Sequence, residues 1–275
     1  MLAATAPNME NSILHASNML SFAPQNLVKE YRVKAVFSKN GGQENILLYR
    51  VRVTWNQSGT DGFFVKVETR DFLINYNKPT LMIELLAEEC RQPLQKLNFW
   101  LSAQGQIESL FNYEEIVESW RKIKENLIVK YSGEVVEKYI RLQDAVIFDE
   151  NYLILKLKKD LFLNHYFYPI YNNVFRNFKL EVDEKATFLN VNYEFPMNFL
   201  AQNGGRYDEN QQLHFVKNID SKNYDFDKMP VDFYEARYIV NKDHSLDSID
   251  GNFEAMGQKI SFSIVSVRDT KAFDT

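Results

Sequence analysis

Cysteine is almost absent from this chain: one thiol, Cys90, in 275 residues. It has no partner for an internal disulfide, so the usual mark of an oxidising compartment is missing. It also lies far from the N-terminus, so no lipobox and no lipid anchor are expected. Glycine is scarce as well. The chain has 10, where an average usage of about 7% would give roughly 19. That leaves no glycine-rich cradle for phosphates; GxGxxG and Walker patterns do not occur, nor does the GxSxG elbow of a serine hydrolase. No run reaches the roughly 18 apolar residues that a membrane span needs. No basic residue precedes Lys29, and the first twenty residues hold no continuous apolar stretch, so no secretory signal is expected. These absences lead to the expectation of a cytoplasmic protein. An excess of positive charge is missing too: 32 Lys and Arg stand against 37 Asp and Glu, a net charge of -5. That argues against nucleic acid as a partner.

Aromatic residues are abundant. There are 21 Phe, 15 Tyr and 3 Trp, within an apolar content of 45%. Such a chain can bury a large core, and its aromatics favour strands and contact surfaces.

The chemistry-bearing residues do not assemble into a recognisable site. The four histidines, His15, His165, His214 and His244, are far apart and fit no metal-ligand spacing. Cys90 follows Glu88 and Glu89, whose charges raise a thiol pKa, so it reads as a packed cysteine and not a nucleophile. The acidic pairs Glu88-Glu89, Glu114-Glu115 and Asp183-Glu184 read as helix-start or turn acids. The expectation is therefore no enzyme, no catalytic residue, no metal and no cofactor.

Patterning is more informative. YRVKAVF from Tyr31, LLYRVRVTW from Leu47 and FFVKVETRDF from Phe63 alternate apolar with polar residues, the grammar of an antiparallel sheet with one buried face. Residues 79–91 read as a short helix opening at Pro79. LNFWLSAQGQIESLFN reads as a hairpin turning at 103–106. A helical block follows. Asn112 is the expected cap of a helix with the stripe Ile116, Trp120, Ile123 and Leu127, and 134–147 is a second helix. Residues 151–175 are read as helix, with LILKLKK open to a strand reading. From Phe178 the strand grammar returns in FKLEV, TFLNVNYEF, LHFV, EARYIV and KISFSIVSV.

The expected fold is α+β: curved antiparallel sheet with a central helical block on one face. Residues 1–28 are expected as a flexible or docking arm and 29–275 as one domain. That domain divides into β halves 29–112 and 176–275, joined by helices over 113–175. FWLSAQGQIESLFN from Phe99 and YIVNKDHSLDSIDG from Tyr238 align without a gap, matching Ile107 with Leu246, Glu108 with Asp247, Ser109 with Ser248 and Leu110 with Ile249. Either a duplication or the shared pattern of two hairpins explains this.

The phrase around Gly105, Ile107, Ser109 and Leu110, followed by Asn112 and the Trp120 helix, resembles β-rich proteins of Bacteroidetes, some of them similar to the half-barrel of lipoprotein carriers. The resemblance covers about a fifth of the chain and implies a half-barrel fold.

Two surfaces are candidates for partners. Arg32, Lys34, Arg50, Arg52, Lys66 and Arg70 fall on the polar faces of three successive strands and would form a basic strand face; the competing reading is a solvated face with acids interspersed. Tyr166, Phe167, Tyr168, Tyr171 and Phe175 crowd around Pro169, as an aromatic interface or as core. The leading expectation is a non-enzymatic binding or assembly protein with protein partners, as homo- or hetero-oligomer, for instance an accessory component of a bacterial secretion or injection apparatus. The first alternative is a carrier holding an apolar ligand between sheet and helices, near Trp100, Trp120 and Tyr139. The second is an immunity-type inhibitor that sets the basic face against an acidic toxin.

Overall fold

The computed structural model describes residues 19–22, 24, 26–39, 42–58, 61–180, 185–186, 195–220 and 231–267. The first half is a meander of β1 (Leu27–Lys39), β2 (Asn45–Ser58), β3 (Gly62–Ile74), β4 (Lys96–Ser102) and β5 (Ile107–Leu110). A short helix, α1 (Met82–Arg91), interrupts it. Four helices follow: α2 (Tyr113–Lys130), α3 (Glu134–Ile147), α4 (Glu150–Leu157) and α5 (Leu161–Tyr166). The second half contains β6 (Phe175–Arg176), β7 (Lys179–Leu180), β8 (Lys185–Ala186), β9 (Phe195–Ala201), β10 (Gln212–Ile219), β11 (Val231–Asn241), β12 (Leu246–Ala255) and β13 (Gln258–Ser266).

Among the described residues the strands form one open, curved antiparallel sheet. Its order is β5-β4-β3-β2-β1-β13-β12-β11-β10-β9-β7-β6, with β8 beside β9. The last strand pairs with the first, Val33 opposite Ile264. Both halves therefore share one sheet and one continuous core. The two aligned stretches are both hairpins, β4–β5 and β11–β12.

The alternation read from sequence sets the buried face. Tyr31, Val33 and Ala35 of β1, Val51, Val53 and Trp55 of β2, and Phe63, Val65 and Val67 of β3 are all buried. One cross-strand row runs Val53–Val67–Leu97 and the next Trp55–Val65–Phe99. Burying apolar area on this scale is the main favourable contribution to the fold. At Gly251 a Cβ would stand 2.2 Å from the Phe262 ring. The missing side chain lets that ring lie across the opposite strand.

Three local details differ from the sequence expectations. Asn112 precedes α2 without making a side-chain cap. Its amide oxygen accepts from Asn98 N at 2.9 Å and its amide nitrogen donates to Lys96 O at 2.9 Å, tying the helix start to β4. The helix expected over 151–175 is two helices and a coil. The Asp160 carboxylate accepts from the N–H groups of Phe162 (2.9 Å) and Leu163 (3.0 Å), which caps a new helix. Pro169, which has no N–H, lies in the coil beyond α5. Of the expected arm, residues 1–18 lie outside the described residues. Leu20 and Phe22 are buried in the chain's own core, with the Phe22 ring stacked on Tyr171 at 4.3 Å. Most of the expected strand TFLNVNYEF also falls outside the described residues.

The helices cover the concave face. α5 and the coil after it press Phe162, Tyr166, Phe167 and Tyr171 into the sheet. Tyr166 Oη accepts from Trp55 Nε1 at 3.0 Å, and Tyr31 Oη donates to Leu246 O at 2.9 Å. Outside this layer α2 and α3 pack together, with Trp120 Nε1 donating to Asp144 Oδ1 at 2.9 Å. No helix among the described residues is long and apolar enough to cross a membrane.

Candidate functional site

The aromatic plug does not fill the whole concavity. Beside it, between the inner face of β1–β4 and helices α1, α4 and α5, lies a cleft of about 310 Å3. Val51 and Val67 supply the sheet wall, Tyr49 and Phe72 one end, and Leu157, Leu161 and Phe162 the helical wall. Three polar side chains join this apolar lining: Thr69, Arg91 and Asp160. A volume near the lower end of the about 300–1,000 Å3 range, mostly apolar with a few polar groups, is the ordinary form of a small-molecule site.

Each charged residue is held by its element. Arg91 closes α1, and its guanidinium carbon stands 4.3 Å from the centre of the Phe72 ring. That is a cation–π contact. The Phe72 ring itself stacks on Tyr49 at 5.9 Å. The buried Nε of Arg91 has no hydrogen-bond partner among the described residues. Desolvation lowers the Arg91 pKa, with Glu88, Tyr49 and Asp160 opposing it. Asp160 is the cap of α5, and one carboxylate oxygen is committed to the two backbone N–H groups. Crowding by surrounding protein raises its pKa, against the backbone hydrogen bonds and Arg91, which lower it. Asp160 nevertheless stays exposed and Arg91 half-buried, while Val51, Val67, Leu161 and Phe162 are buried. The charged pair therefore lies toward the exposed rim of the cleft, together with half-buried Phe37, Leu47, Phe72 and Leu94, and the buried apolar walls lie behind.

Neither residue stands out in the sequence. Asp160 sits inside an apolar run that reads as one helix, although the D-L-F-L pattern is a legible cap signal. Arg91 ends an amphipathic helix, where a basic residue is ordinary.

The residues expected around an apolar pocket lie elsewhere. Trp120 is fully buried between α2 and α3. Tyr139 of α3 packs at the core's edge near Cys90. Trp100 is on the outward row of β4, opposite Phe64. The space is at the β1–β4 end, where Arg91 of α1, Leu157 of α4 and Leu161 of α5 face Val51 and Val67 across it.

The aromatic cluster is internal. Tyr166, Phe167, Tyr168, Tyr171 and Phe175 are all buried, at 7% exposure or less. They offer no surface to a partner while this fold is kept. The strand face carrying Arg32, Lys34, Arg50, Arg52, Lys66 and Arg70 does lie together on the outer side. Arg32, Arg50 and Arg70 form one cross-strand row. Acids interleave with them. Glu30 bonds Arg70 at 2.6 Å and Arg50 at 3.4 Å, Asp71 lies 3.5 Å from Arg50, and Glu68 lies 3.0 Å from Lys66. The two arginines hold the Glu30 pKa below the usual carboxylate range. Arg32 and Lys34 also border an outer groove of about 620 Å3 with Leu48, Leu73 and Tyr76.

The histidines have local roles. His165 is fully buried; its Nδ1 lies 2.8 Å from Leu161 O and its Nε2 2.9 Å from Tyr234 Oη. Burial, then the nearby Lys217 charge, push its pKa down to about 3. His214 faces outward and pairs with Asp208 at 2.8 Å. His15 is outside the described residues. Burial, then Glu89, push the Cys90 thiol up to about 12, which leaves it unreactive at neutral pH. Among the described residues no three His, Cys, Asp or Glu side chains gather as a metal site would need.

Comparison with known proteins adds distant likenesses. No family model matches the chain, and no curated protein matches it. A lipovitellin structure, described for its lipid–protein interactions, matches at a TM-score of 0.47 and 12% identity. The match covers 92% of this chain and 26% of that one, so the chain spans about a quarter of it. Rv2717c from M. tuberculosis matches at a TM-score of 0.28 and 9% identity, over 93% of this chain and 97% of that one.

Proposed function

We propose that this is a non-enzymatic binding protein that holds a small elongated apolar molecule between its sheet and helices. The observation that carries the reading is the 310 Å3 cleft, open at a charged end and walled by buried Val51, Val67, Leu161 and Phe162. Sheet on one side and helices on the other would surround a ligand there and remove most of its surface from water. The outer groove is larger, but it runs along the exposed side of the sheet, where Arg32, Lys34 and Tyr76 remain wet.

The test is titration with a neutral solvatochromic dye, followed by the same titration on Val67→Phe. Val67 is buried on the sheet wall, and a larger ring there takes up the space. The expected result is saturable dye binding in the parent protein and at least tenfold weaker binding in the variant, with an unchanged circular dichroism spectrum. Equal binding by the two proteins would refute the reading.

A further inference from the structure

The cleft's opening carries two opposite charges that do not neutralise each other by direct contact. Arg91 and Asp160 both line it and sense each other electrostatically, yet they form no salt bridge. The guanidinium is braced by the Phe72 ring, its side chain makes no hydrogen bond among the described residues, and its Nε is buried without a partner. A buried polar group left in that state is destabilising until a partner reaches it. The Asp160 carboxylate gives one oxygen to the start of α5, and no hydrogen bond among the described residues takes up the other. A purely apolar ligand would leave the Arg91 Nε without a partner. A simple carboxylate head would suit Arg91 but meet repulsion from Asp160.

We infer that the cleft selects a single-chain amphiphile with a zwitterionic head, its anionic group on Arg91 and its cationic group on Asp160. This rests on the binding reading above and names the ligand class for the same site. The alkyl chain lies along Val51, Val67 and Leu161, and the head closes the gap between guanidinium and carboxylate. Charge-assisted hydrogen bonds at both ends supply the selectivity, while chain burial supplies most of the affinity.

The experiment measures displacement of the neutral dye from the full chain by decyl phosphoethanolamine, decanoate and decanol, each below its micelle concentration. It uses the parent protein, Arg91→Gln and Asp160→Asn. Asparagine is itself a good helix cap, so the second variant removes charge while keeping the start of α5. The expected order in the parent is phosphoethanolamine first, by about tenfold or more over decanol. Each variant should erase that preference, and Asp160→Asn should at the same time strengthen decanoate. Equal affinity for decanol and the zwitterion, unchanged in both variants, would overturn the inference and leave the binding reading intact. Preference for decanoate that depends on Arg91 alone would also overturn it, in favour of a plain anion. If none of the three displaces the dye, the cleft is not the dye's site, and both readings fall.

Discussion

Two parts of the same concave face behave differently. At the plug, Tyr31, Trp55, Phe162, Tyr166 and Phe167 interlock, with ring centroids 4.9–6.1 Å apart and the polar tips of Trp55, Tyr31 and Tyr166 hydrogen-bonded. A few residues away, Val51 and Val67 face space that the helices leave open. The plug has the character of a packed interior, where a void forfeits dispersion contacts and stability. The cleft keeps a void and two charges. A fold that tolerates this beside a dense aromatic core concentrates its stability at the plug, and the adjoining region is the one to which the proposed function assigns a ligand.

The sharpest way to break the contrast is to cut into the plug. Trp55→Ala removes a side chain 1% exposed, together with its bond to Tyr166. A loss of about 3–5 kcal/mol in urea unfolding is expected. Next comes acid. His165 stays neutral in the folded chain down to about pH 3, whereas unfolding frees it to protonate near its ordinary 6.5. Its folded pKa is depressed, so stability is fully present above pH 6.5 and falls as pH drops from 6.5 toward 3. The loss is on the order of 4 kcal/mol from this group. His165→Gln should flatten that part of the stability–pH curve.

Overpacking separates the two regions more finely. Val53→Phe, in the packed part of β2, should cost about 1–3 kcal/mol. Val67→Phe, beside the cleft, should cost under about 1 kcal/mol, because the ring has room. Equal costs would mean that the cleft closes in solution. The smallest effect belongs to the outer face. Arg70→Ala breaks a pair with Glu30, but Arg70 is half exposed and solvent screens the contact. At most about 1 kcal/mol is expected, shrinking further in high salt.

What the sequence made legible follows from period and propensity. The alternation in β1–β3 identified the buried face residue by residue, because in a strand each side chain's face follows directly from its position. The helix at 134–147 has the bounds of α3. Tertiary choices were not legible. Asn112 has the chemistry of a cap, yet β4 offers it both a donor and an acceptor, and these two bonds win over one cap. Asp160 falls inside the run 151–175, which reads as one helix because the run's apolar density outweighs a single polar residue in any periodicity count. Its role depends on Leu161–Leu163 turning inward after it. The basic strand face is legible from alternation, but the neutralising diagonal from Glu30 to Arg70 spans three strands and appears only once register is fixed. The cleft is the least legible feature: its lining comes from four strands and three helices far apart in sequence, and no local pattern encodes how they meet.

The most direct test of the central claim is a crystal structure of the protein soaked with decanol. Continuous alkyl density is expected between the β2–β3 wall at Val51 and Val67 and the α5 wall at Leu161, with the hydroxyl toward Arg91 and Asp160. Density confined to the outer groove beside Leu73 and Tyr76, with the inner cleft empty, would contradict it.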